Sequence, residues 1–250
     1  MKKIFLLAVL FGFTCSGIAQ VDDSSLFSIK NVVKFQPFTL PFNSISFEYE
    51  RMINHKNSLT LQIAIPNQQS VMGKYGINSN SDLKTAEFGT KVLRGAYRHY
   101  TGKNNLPKGF YIEPYLKYQQ LKGGASIAGV DDQGDPYSGK SEIKFNTINA
   151  GCQFGVQFLI VKRVSIDLYF LGLEGGILNG KIATTPTSYT EYDPFILGII
   201  KNVIDQNIAQ APAIVRNKLI TTQTSTQVII NANNAPYPWI RGGISIGFAF

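Results

Sequence analysis

Apolar and polar residues alternate with period two over most of this chain. Eight segments carry the pattern: 27–40, 44–53, 58–66, 88–100, 109–121, 143–159, 164–176 and 239–250. Successive side chains of a β-strand point to opposite faces, so each segment predicts a strand with one apolar face. The last segment is the clearest. Ile240, Gly242, Ile244, Ile246, Phe248 and Phe250 share one face, and Trp239, Arg241, Gly243, Ser245, Gly247 and Ala249 share the other. The second segment sets Ile45, Phe47 and Tyr49 against Ser46, Glu48 and Glu50. The pattern is disturbed twice. Pro114 has no N–H and sits on an apolar face, which predicts a bulge. Leu171 and Leu173 fall out of phase with Ile166, Leu168 and Phe170, which predicts another.

The connections have a parity of their own. Those after the second, fourth and sixth segments are short and polar, such as Asn54-His55-Lys56-Asn57. Those after the third, fifth and seventh are long: 67–87, the Gly- and Asp-rich stretch 122–142, and 177–236. Only the connection after the first segment, Pro41-Phe42-Asn43, breaks the rule. An eight-stranded antiparallel β-barrel follows, with short turns and both termini at one end and long loops at the other. This is the pattern of outer-membrane barrels, and it predicts periplasmic termini and 177–236 as a long extracellular loop.

Alternation alone does not separate the inside of a barrel from the outside. A soluble lipocalin-like barrel reverses the arrangement, with an apolar interior and a polar exterior. Three features favour lipid outside. The polar face carries Gly151, Gly155, Gly243 and Gly247, which suit a narrow, crowded lumen. The apolar face carries large residues throughout, with Tyr49, Tyr97 and Tyr118 as girdle aromatics. The closing strand ends on Phe250. The amino terminus agrees: basic Met1-Lys2-Lys3, apolar Ile4 to Phe13 and small Gly17-Ile18-Ala19 read as a secretory signal peptide over 1–19, leaving 20–250 as the barrel. Charged residues make up 16% of the chain, against about a quarter in soluble domains. No later segment approaches the ~20 consecutive apolar residues of a membrane helix. Cys152 is the one cysteine after the leader, so no internal disulfide forms.

The runs Ile29-Lys30-Asn31-Val32-Val33, Ile45-Ser46-Phe47-Glu48-Tyr49-Glu50 and Gly109-Phe110-Tyr111-Ile112-Glu113-Pro114-Tyr115-Leu116-Lys117-Tyr118 resemble small outer-membrane barrels common in Bacteroidota, similar in architecture to OmpA/OmpX-like barrels. Ile246-Gly247-Phe248-Ala249-Phe250 resembles the signal read by the outer-membrane assembly machinery, with Ile246, Phe248 and Phe250 carrying it. The resemblance implies an eight-stranded barrel in the outer membrane of a Gram-negative bacterium. It implies no assigned activity.

The sharpest cluster of chemistry is a set of charges on the inward face: Lys30, Lys34, Glu48, Glu50, Arg94, Arg98, Glu113, Lys117, Asp167 and Arg241. An eight-stranded lumen is just wide enough for side chains to fill. Buried charges need partners. The expected network groups Glu48 and Glu50 with Lys34, Arg94 and Arg98, and sets Glu113 near Lys117. Such a network is either a structural plug or part of a narrow channel for small solutes.

Other motifs are weaker. His55 and His99 both fall near the short-turn end, away from a rim enzyme such as a lipid-modifying hydrolase. No nucleophile-elbow, zinc-protease or phosphate-loop motif occurs, and the expectation is a non-enzyme with no cofactor or metal. Asp131-Asp132-Gln133-Gly134-Asp135 lacks the spacing of a calcium loop. In the long loop, Asp193-Pro194 starts a helix well, and Ile196, Ile199, Ile200, Val203 and Ile204 form its apolar stripe. Thr221 to Asn231 reads as extended. The net charge of +8 includes the two leader lysines, and the basic residues are dispersed, which argues against nucleic acid. Outward lysines instead suit anionic lipopolysaccharide. The reading is an outer-membrane scaffold that works through its extracellular loops.

Overall fold

The computed structural model describes residues 29–67, 83–102, 106–130, 136–161, 163–186, 194–210 and 213–250. The eight-stranded antiparallel barrel is closed. Its strands are β1 (Asn31–Phe35), β2 (Ser44–Met52), β3 (Asn57–Pro66), β4 (Leu83–Tyr100), β5 (Gly109–Val130), β6 (Pro136–Ile160), β7 (Val164–Pro186) and a last strand that pairs with both β7 and β1. Two further strands, β8 (Leu219–Gln223) and β9 (Val228–Pro236), form a hairpin on the upper part of β7, so the closing strand is β10 (Trp239–Ala249). Helix α1 (Pro194–Ala209) lies against β8 and β9, and a single turn, α2 (Ala213–Arg216), follows it. Residues 1–19, where the sequence predicts a signal peptide, and the acidic stretch 131–135 lie outside the described residues.

Register fixes the barrel's tilt. A path of paired residues starts at Ile246 and runs through Phe35, Phe47, Ile63, Leu93, Tyr118, Ile148 and Ile177. It returns at Pro236, a stagger of ten residues from its start. Closure with a stagger requires tilted strands and sets the lumen's width. The alternation then places each face as expected. Lys34, Gln36, Ser46, Glu48, Glu50, Gln62, Gln153 and Gln157 are buried inside. Phe47, Leu61, Leu93, Leu116, Ile148 and Phe158 are exposed outside. On β6 the outer apolar run from Ile148 to Phe158 covers about 33 Å at about 3.3 Å per residue. With strands tilted by about 40°, the belt is about 25 Å tall.

Above the belt the polarity of the two faces exchanges. Tyr118, Ile148 and Ile177 end the continuous apolar run of the outer face on β5, β6 and β7. The next outward position on each strand is Gln120, Asn146 or Asn179, and the one after is Lys122, Lys144 or Lys181. The inner face meanwhile turns apolar, with Leu121, Phe145 and Leu178, then Ile143 and Ile182. The strands therefore continue where the sequence predicts loops. The stretch 122–142 is a long hairpin arm whose described part is strand to Val130 and from Pro136. Of 177–236, the first ten residues extend β7 and the last nine are β9. The extended reading of Thr221 to Asn231 corresponds to the β8–β9 hairpin.

Three local expectations meet different outcomes. The first segment does not run on to Leu40. Strand β1 stops at Phe35, and Pro37–Phe42 is a 3-10 helix closed by Asn43 at φ 51°. Pro37 and Pro41 bring no N–H to a ladder, which explains the early stop. No bulge forms at Pro114. It stays in register opposite Cys152, and the β4–β5 ladder instead omits Tyr97 and Arg98 across from it. The bulge in β7 is present: Gly155 pairs Tyr169 and Phe154 pairs Leu171, so Phe170 is the extra residue. The ladder to β10 shifts at the same place, between Arg241 and Gly243.

Three of the lumen glycines, Gly151, Gly155 and Gly243, lie beneath tyrosine rings, and Gly247 lies against Val33 and Lys34. A Cβ on Gly155 would stand 2.4 Å from the end of the Tyr111 ring and 2.7 Å from the Leu168 carbonyl oxygen. Gly151 lies in the same way under Tyr115, and Gly243 under Tyr169. Gly95 meets nothing within 4 Å. Gly155→Ala is therefore predicted to destabilise the barrel by about 1–3 kcal/mol, the range for overpacking. Gly95→Ala should leave it unchanged. Urea midpoints of the heat-modifiable band measure both; equal midpoints for the two variants would contradict the packing.

Candidate functional site

The lumen is the site. Alternation on β1, β2, β4, β5 and β7 aims long charged side chains at a common axis, and closure brings together residues far apart in sequence. Lys34 sits at the centre, fully buried. Its Nζ lies 3.1 Å from Glu48 Oε1, 2.7 Å from Glu50 Oε2 and 2.9 Å from Asp167 Oδ2. It also donates to Gln157 Oε1 at 2.7 Å. Arg94 joins Glu48, at 2.5 Å, to Glu113, at 2.7 Å. Arg98 bridges the same groups from one level away. Its Nε donates to Glu113, and its Nη1 donates to Asp167 Oδ2 at 2.9 Å and to Gln157 Oε1 at 2.6 Å. Its guanidinium also lies 3.9 Å from the centre of the Tyr111 ring, a cation–π contact.

Neutral groups complete the shell. The hydroxyls of Tyr100 and Ser58 donate to Glu50 Oε1 at 2.6 and 2.7 Å. The Tyr111 hydroxyl donates to Asp167 Oδ1 at 2.7 Å. Gln36 and Gln153 donate to Glu48 and Glu113. Met52, Tyr100 and Tyr111 form a buried apolar cluster beside the network, toward the short-turn end. The seven ionic side chains are each 2% exposed or less, so their attraction is little screened by water.

A second, smaller cluster lies above. Lys117 pairs with Glu174, which also accepts from the Tyr115 hydroxyl at 2.9 Å and from Asn149 Nδ2 at 3.1 Å. Arg241 stacks between Tyr115 and Tyr169, its guanidinium 5.4 and 5.0 Å from their ring centres. With Arg241 included, five cations face five carboxylates, and the lumen's formal charges cancel. Two expectations change. Lys30 is exposed, because β1 begins at Asn31 and places it beyond the barrel's rim. Glu113 binds Arg94 and Arg98, and Lys117 turns to Glu174 instead.

Glu174 and the tyrosines are missing from the sequence-level list. Glu174 faces inward only because Phe170 is a bulge, and skipping that one residue brings it into the phase of Asp167. Tyr111 and Tyr115 lie inward by alternation, but their neutral hydroxyls gave no signal of a charge partner.

The remaining residues lie away from the lumen. His55 is exposed in the β2–β3 turn; His99 is exposed on β4, its Nδ1 2.6 Å from Asn57 Oδ1. Ile246, Phe248 and Phe250 point outward and are about half exposed, with Phe248 stacked on Phe250. Ile196, Ile199, Ile200 and Val203 belong to α1, and their side chains lie outside the described residues. Ile204 is half-buried, and Leu197, which the predicted stripe omits, is completely buried. Lys201 donates to Asp205 at 2.5 Å, and that hydrogen bond holds the Asp205 carboxyl below the usual range.

Removing one member of a buried pair leaves its partners uncompensated, at a cost of about 3–5 kcal/mol. Arg98→Met is predicted to lose that much, because Glu113 and Asp167 both rely on it. Lys30→Met, at an exposed position, should stay within about 0.5 kcal/mol of wild type. Equilibrium urea unfolding in detergent measures both; similar losses would overturn the placement of Lys30. No protein-family model, curated protein or solved structure matches the chain, so the reading of this site rests on its geometry.

Proposed function

We propose that this chain is an outer-membrane β-barrel with a sealed lumen, a structural, non-enzymatic scaffold that presents the sheet and helix above its rim. The observation that carries the reading is the inverted polarity. Large apolar side chains cover the outside while paired charges fill the inside. In water that arrangement would leave a continuous apolar surface exposed, and monomeric soluble proteins rarely do so. A bilayer requires it, and the belt height of about 25 Å matches the apolar band of outer-membrane barrels. The leader-like pattern of residues 1–19 and the resemblance to small Bacteroidota barrels support the same compartment.

Orientation follows from the connections. The β2–β3, β4–β5 and β6–β7 turns gather at one end with β1's start and β10's end, which suits the periplasmic side. The extensions of β4 to β7, the β8–β9 hairpin and α1 then stand outside the cell. They form the surface on which an extracellular partner would be held.

A sealed lumen has a measurable consequence. The account expects a heat-modifiable band in the outer-membrane fraction and no stepwise conductance when the protein is added to a planar bilayer. Glu48→Gln keeps the side chain's shape and should lower stability without opening a pore. Discrete open-channel steps from the wild type would favour a solute channel and overturn the sealed scaffold.

A further inference from the structure

The outer face above the belt carries a row of lysines that no ion pair among the described residues neutralises. Lys122 on β5 pairs directly across the ladder with Lys144 on β6, and Lys144 with Lys181 on β7. Like charges directly opposite on adjacent strands repel. All three are exposed, and none has an ion pair among the described residues. The nearest carboxylates are few. Glu142 lies two residues before Lys144 on the same face, 3.4 Å from Lys140. Glu87 is on β4.

The ladder stands four residues beyond Tyr118 along β5. That is about 13 Å along the strand, or about 10 Å in height once tilt is included. This level is where lipid headgroups would lie, within reach of lysine side chains that extend along the surface. A cavity of about 320 Å³ opens at the β4 end of the row, lined by Pro66, Glu87, Phe88, Lys91, Gln120 and Lys122. Local topology makes it. Strand β3 ends at Pro66 while β4 runs on to Leu83, and the wall steps down there. The cavity joins two ammonium groups, one carboxylate and an amide to an apolar wall; its cations outnumber its anion, which suits a phosphorylated lipid headgroup with its proximal chain.

We propose that Lys122, Lys144 and Lys181, together with the cavity beside Lys91, form a binding site for the phosphate groups of outer-leaflet lipid. The proposal rests on the bilayer placement argued above. It adds a partner of defined chemistry: a phosphate on a lipid, held by a row of lysines at a fixed height. It also accounts for the row itself, since anionic headgroups supply a counter-charge that no described carboxylate provides by an ion pair.

The test compares lipids on the folded full-length barrel in neutral detergent, read by native mass spectrometry. Phosphatidic acid, with a monoester phosphate, should bind at least tenfold more tightly than phosphatidylcholine. The K122Q/K144Q/K181Q variant should lose that preference roughly tenfold or more, while Lys56→Gln, at the opposite end, keeps it. Single Lys144→Gln, expected to lose part of the preference, gives the same comparison if the triple variant fails to fold. An unchanged preference in the lysine variants would overturn the site. Complete displacement by millimolar inorganic phosphate would overturn the lipid and leave a free-anion site. Failure of the wild type to form a heat-modifiable barrel in phosphatidylcholine vesicles would instead count against the membrane placement.

Discussion

A lumen as narrow as that of eight strands has no bulk water to solvate a charge, so each inward ionic group depends on a partner across the barrel. Lys34 shows how far this reaches. Its three carboxylates come from β2 and β7, and Asp167 is 133 residues away in the chain. These contacts exist only when β10 has paired with both β7 and β1 and the stagger is correct. A slip of one residue in any ladder would turn a charged face outward. The network is thus weak support for raw stability and a strong constraint on register, since most wrong pairings leave charges buried alone.

The rest of the barrel follows from that filling. Glycines sit opposite tyrosines because rings such as Tyr111 and Tyr115 must lie flat across the neighbouring strand to reach Asp167 and Glu174. The bulge at Phe170 has the same logic. It brings Glu174 inward, where Lys117 and Asn149 meet it, and keeps Leu171 and Leu173 on the apolar outside. One irregular residue allows β7 to serve both faces.

Period two carried most of the fold in the sequence, because each barrel strand has one buried polar and one exposed apolar face. Eight strands, their order and nine of the ten inward charges were legible on that basis. Partners across the lumen were less so. Nearness along β5 suggests Lys117 as the partner of Glu113, whereas the pairing across strands brings Glu113 to Arg94 and Arg98. The strand extensions were hidden for a different reason. Their alternation continues, but its polarity is exchanged above Tyr118, and Gly123-Gly124 and the polar residues beside them read as a loop. Within α1, Leu197 lies outside the isoleucine stripe and is completely buried, a placement that helical periodicity alone does not give.

The polarity exchange divides the molecule into a lower barrel filled with paired charges and an upper sheet with lysines outside and apolar residues inside. The central claim is that the exchange marks a bilayer boundary. Cysteine labelling along β5 tests it most directly, in a Cys152→Ala background with single substitutions at Leu116, Tyr118, Gln120 and Lys122. A membrane-impermeant maleimide applied to intact cells should label Gln120→Cys and Lys122→Cys and spare Leu116→Cys and Tyr118→Cys. Equal labelling at Leu116 and Lys122 would show the apolar face in water and contradict the account.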